Sequence, residues 1–107
     1  MIFNTLLGSK KMEKELKPVY VDYIPEVKEE NILYISKTYN IAIHLCACGC
    51  GIQAVTPLGA GEWTLIENGD KVSLRPSIGN FIWDVNSKGE KDYHAHYFIT
   101  DNKVIFV

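Results

Sequence analysis

From Pro18 onward, turn residues cut the chain into short apolar runs, and this interruption limits the possible folds more than any other feature. Val19, Val21 and Tyr23 alternate with Tyr20 and Asp22 until Pro25 ends the run. Ile32–Ser36 and Ile41–Leu45 are β-branched runs joined by Lys37-Thr-Tyr-Asn40, a suitable hairpin connection. Gln53–Thr56 stops at Pro57. Trp63–Ile66 and Lys71–Arg75 flank the turn Asn68-Gly69-Asp70. Arg75-Pro-Ser-Ile-Gly-Asn80 reads as a polar loop in which Ser77 or Arg75 could face a substrate. Phe81–Trp83, Tyr93–Thr100 and Lys103–Val107 complete the set, with a polar loop at Asn86–Lys91 and a tight turn at Asp101-Asn102. About seven short strands without helical periodicity predict a mainly β fold, a compact antiparallel sheet or sandwich. Residues 1–17 read as an N-terminal tail or short helix, polar and helix-compatible over Ser9–Leu16 but too short to stand alone. Residues 18–107 then form a single β domain.

The chemistry is concentrated in two places. All three cysteines lie in His44-Leu-Cys-Ala-Cys-Gly-Cys-Gly51, and the other two histidines lie in Tyr93-His-Ala-His-Tyr97. Thiolates are soft ligands suited to zinc, and glycines beside them let the backbone turn until neighbouring sulfurs converge. An odd cysteine count and one-residue spacings argue against a disulfide framework. Iron–sulfur clusters usually need four cysteines, and a redox pair would favour a CxxC spacing. In a strand, His94 and His96 share a face, ~7 Å apart along the chain. The expectation is therefore a zinc knuckle of Cys46, Cys48 and Cys50, with a distant imidazole closing the site. The plainer alternative keeps the cysteines as small apolar core residues and the histidines as surface residues.

Composition narrows the partners. Hydrophobic residues make up 47% and charged residues 22%, an ordinary globular balance, and the net charge of −2 comes from interleaved signs. No basic face suggests nucleic acid. Nothing approaches the roughly 20 apolar residues of a membrane span, and the N-terminus lacks the order of a secretory signal. The expected compartment is the cytoplasm, where thiols stay reduced.

In order, HLCACGCG, VTPL, WTL, SLRPSIGN and HAHYFI resemble a small bacterial family of zinc-binding domains of unknown function, whose genes lie beside ubiquitin-like conjugation genes. The resemblance runs from about Val19 to the C-terminus. It implies Cys46, Cys48, Cys50 and His96 as metal ligands, and it places the family's PSIGN serine on Ser77. The family's late cysteine falls on Tyr93 or His94, a departure in which His94 could substitute as a ligand or Tyr93 could leave the metal an open position. Two functions follow. One is a zinc-dependent hydrolase, a peptidase processing or removing a bacterial ubiquitin-like protein, with His94, His44, Glu62 and Ser77 as candidate catalytic groups. The other is a structural-zinc adaptor that positions a ubiquitin-like protein or its conjugation enzymes.

Overall fold

The computed structural model describes residues 14–85 and 91–107, with the side chains of residues 80–94 excepted. Its strands are β1 (Lys14–Glu15), β2 (Lys17–Tyr20), β3 (Ile32–Ser36), β4 (Ile41–Leu45), β5 (Gln53–Pro57), β6 (Thr64–Asn68), β7 (Lys71–Val85), β8 (Lys91–Thr100) and β9 (Lys103–Phe106). They form a five-stranded sheet ordered β1-β9-β8-β7-β6 and a four-stranded sheet ordered β2-β3-β4-β5. Every pairing is antiparallel except β2 with β3, which is parallel from Lys17–Ile32 to Tyr20–Ile35. No helix occurs among the described residues.

Period-two alternation builds one core between the sheets. Leu33, Ile35, Ala42 and Ala54 come from the smaller sheet, and Val72, Leu74, Ile78, Tyr97, Ile99 and Val104 from the larger. Each large aliphatic side chain buried there contributes about 1.5–3 kcal/mol. At one rim a polar latch crosses the gap. Tyr20 Oη donates to Glu67 Oε2 at 2.5 Å, and Lys37 Nζ donates to Glu67 Oε1 at 3.0 Å.

Three features depart from the sequence reading. First, Lys14–Lys17 is not tail: Lys14 and Glu15 pair with Val104 and Lys103, and Leu16 is 2% exposed in the core. The rest of the N-terminal segment lies outside the described residues, as does most of the expected Asn86–Lys91 loop. Second, β2 begins two residues earlier than the alternation at Val19 suggests, because its parallel partner starts opposite Lys17. Third, Arg75–Asn80 is not a loop between two strands, because β7 runs through it.

That third difference shapes the site. Leu74 pairs with Ile99 and Ile78 with Tyr97, so Arg75, Pro76 and Ser77 lie opposite Phe98 alone. This is a β-bulge, the position at which a strand tolerates a proline without losing a ladder bond. A local reading takes Pro76 and Gly79 as breakers. The buried anchors Leu74 and Ile78 instead hold the strand on course on either side.

Candidate functional site

Beyond the bulge the ladder resumes with Ile78 opposite Tyr97 and Gly79 opposite His96. Ile78 and Tyr97 point into the core at 2% and 0% exposure, so their strand neighbours Ser77 and His96 point to the outer face. Gly79 sets no side chain in front of the imidazole, which leans to its diagonal neighbour. Ser77 Oγ and His96 Nε2 share a hydrogen bond of 2.9 Å. Both residues are half-buried, so a reactant can approach the hydroxyl. A hydroxyl within hydrogen-bond reach of an imidazole is the minimal arrangement of an activated nucleophile and its base.

The thiols occupy the link between β4 and β5. Cys46 N–H donates to Ile52 O at 2.7 Å and closes the loop, and Gly49 N–H donates to Cys46 O at 3.0 Å. Gly49 and Gly51 take φ values of 89° and 87°, a backbone region that a Cβ disfavours, and these two turns fold the loop back on itself. The three sulfurs lie within 4.8 Å of one another. A tetrahedral zinc with ~2.3 Å Zn–S bonds separates its sulfurs by about 3.8 Å, and Cys46 Sγ and Cys48 Sγ stand 3.6 Å apart, so the spacing suits an ion. Cys46 is buried, and Cys48 and Cys50 are exposed. Local desolvation, then hydrogen bonds with the Cys50 and Cys46 thiols, push the Cys48 thiol up to about 11. A cation would reverse that preference by taking the thiolate as ligand. The donor set thus fits a soft divalent ion.

His96 does not join this group. The converging donors among the described residues are the three cysteines. Strand alternation supplies the reason. Tyr97 is the residue that points toward the thiol loop, accepting a hydrogen bond from Ala47 N–H at 3.4 Å, so His96 must face the other way. The sequence placed His94 and His96 on a common face, which is sound for a strand, but not which face.

His44 lies inside the core at 0% exposure, its Nε2 sharing a 2.6 Å hydrogen bond with Tyr97 Oη. Desolvation, then the positive charge of Lys14, lower its pKa to about 4, so it is neutral near pH 7. Its Nδ1 is buried without a partner. Sealed in this way, His44 braces Tyr97, and among the described residues no hydrogen bond joins it to the Ser77–His96 pair. Glu62 sits on an exposed turn, its N–H bonded to Gly59 O at 3.0 Å, and no bond joins its carboxylate to the pair. The side chain of His94 lies outside the described residues. Arg75 is turned to carbonyls of its own sheet rather than to a substrate.

Over residues 20–107 the chain matches a family described as the bacterial ubiquitination-like system serine protease BubE. It belongs to this family. No curated protein and no solved structure matches the chain. The BubE description fits the expected link to a ubiquitin-like system, and it names a protease. It also names serine where the sequence reading placed zinc at the centre of the chemistry. The partner the sequence missed for Ser77 was His96, already assigned to the metal. Nothing in local sequence shows that a strand through PSIGN would lie beside HAHY in this register.

Proposed function

We propose that the chain is a serine peptidase of a bacterial ubiquitin-like system, with Ser77 as nucleophile and His96 as general base. The observation that carries this reading is the 2.9 Å Ser77 Oγ–His96 Nε2 hydrogen bond in a chain of the BubE family. In the reactive tautomer the hydroxyl donates to Nε2. As Oγ bonds to the substrate carbonyl carbon, its proton passes to Nε2, and the imidazolium then returns that proton to the departing group. The resulting ester on Ser77 is cleared by water, which His96 deprotonates in turn. The acyl donor is a ubiquitin-like protein, and the chain acts in the cytoplasm, where thiols stay reduced.

Cys46, Cys48 and Cys50 would hold a zinc ion. When bound, it would supply fold stabilisation by tying the β4–β5 link together. Zinc-dependent hydrolysis remains the second reading, favoured by the convergence of the three sulfurs. It is the weaker one. Several thiolate ligands donate much charge and leave zinc a poor Lewis acid. The loop also meets the inward side of β8, whereas His96 faces outward. The adaptor reading gives no reason for a hydroxyl and an imidazole to meet on an accessible face.

The test is cleavage of a ubiquitin-like protein fused at its C-terminus to a reporter, by wild-type chain, Ser77→Ala and a briefly chelated sample. A serine peptidase loses turnover with Ser77→Ala. A zinc hydrolase keeps it there and loses it on chelation before the fold melts. An adaptor cleaves nothing in any sample yet retains the fusion.

A further inference from the structure

We propose that Arg75 is a positioning residue that holds Ser77 against His96 by pinning the β7 bulge to β8, an inference that rests on Ser77 being the nucleophile. At Leu74 the strand is paired on both sides, with Leu65 of β6 and Ile99 of β8. On the β6 side pairing runs one residue further, Thr64 with Arg75, whereas on the β8 side it resumes only at Ile78 with Tyr97. Between these anchors three residues meet one, so ladder bonds cannot set how far Ser77 stands from β8. Pro76 has no N–H to contribute.

The Arg75 side chain supplies the missing donors. Its Nη1 donates to Leu74 O at 2.8 Å and to Ile99 O at 3.0 Å, and its Nη2 donates to Thr100 Oγ1 at 2.8 Å. The guanidinium carbon lies 5.1 Å from the centroid of the Phe98 ring. The Ile99 and Thr100 acceptors and the ring belong to β8, the strand that carries His96. One side chain thus fastens the segment bearing the hydroxyl to the strand bearing the imidazole. The planar fork makes these contacts simultaneously, which an ammonium cannot copy in full. Displacement of a reacting group by about 1 Å costs on the order of 100-fold in rate. Loosening the bulge is therefore expected to act on the chemical step rather than on binding.

The experiment uses the full chain and a fluorophosphonate probe, whose phosphorus is attacked by a serine Oγ with loss of fluoride. Arg75→Met is expected to lower the maximal labelling rate of Ser77 roughly 10- to 100-fold with the probe's half-saturating concentration unchanged. Arg75→Lys should recover part of the loss. A second readout needs no activity: the 15N resonance of His96 Nε2 in Arg75→Met should move toward its position in Ser77→Ala. Should Arg75→Met fail to fold, Thr100→Val removes only the Nη2 acceptor and is expected to slow labelling in a folded protein. A folded variant that labels at the wild-type rate and keeps the wild-type His96 signal overturns the proposal. Absence of Ser77 labelling in wild type overturns the nucleophile assignment instead, and the His96 resonance still reports whether Arg75 holds the pair.

Discussion

Two imidazoles in this chain sit in opposite environments. His96 shares its Nε2 with a half-buried hydroxyl, whereas His44 is enclosed beside Tyr97. Replacing Ser77 or His96 by alanine is expected to cost about a thousandfold or more in turnover, with little change in melting temperature, as read by fusion cleavage and thermal unfolding. The pKa of His44 is lowered to about 4 in the fold, against its ordinary 6.5. Between those values the unfolded chain binds the proton and the folded one does not. His44 therefore adds stability that is fully present above pH 6.5 and is lost as pH falls toward 4, up to about 3 kcal/mol. Chemical denaturation across that window, in matched samples with chelator, should give a shallower acid-side decline for His44→Gln than for wild type.

At the scale of elements, strands were readable because β-branched runs and turn residues alternate plainly. Ile32–Ser36 and Ile41–Leu45 occur as read. The Asp101-Asn102 turn joins Thr100 to Lys103 with φ of 48° and 71°, the backbone of a tight two-residue hairpin. The long β7 was not readable, because its continuity comes from Leu74 and Ile78 reaching the same core across a bulge whose own residues argue for a loop. The Ser77–His96 pair was hidden for the same reason: it depends on register between distant strands, which no local pattern encodes. The β8–β9 turn also reaches further than a hairpin requires. Asn102 Oδ1 accepts from Val72 N–H at 2.8 Å, its N–H donates to Val72 O at 2.8 Å, and its carbonyl accepts from Leu16 N–H at 2.8 Å. Asn102→Ala removes the side-chain acceptor at a positive φ, and is expected to cost about 2 kcal/mol in denaturant unfolding.

For the whole molecule, two attachments lie outside the ladder of long strands. The segment before Pro18 contributes Leu16 to the core and β1 to the sheet edge. Deleting residues 1–17, the stretch read from sequence as a tail or short helix, should therefore destabilise the domain, and Leu16→Ala alone should cost about 2–4 kcal/mol. Lys14 adds a second tie, its Nζ donating to Ala47 O at 2.6 Å in the thiol loop. Metal held by that loop would favour the folded chain by mass action. Chelation is expected to lower the melting temperature, and Cys48→Ser to abolish stoichiometric zinc while leaving Ser77 able to react below that temperature.

Ala95, His96 and Tyr97 are consecutive, yet the last two serve opposite sides of one sheet: the phenol inward, against His44 and the thiol loop, and the imidazole outward, against Ser77. A single codon inserted just ahead of His96 would exchange these addresses, sending an imidazole into a space built for a phenol and leaving the hydroxyl without its proton acceptor. Descendants of this gene can lengthen their loops at little cost. Along this stretch of β8 they can change letters but not count.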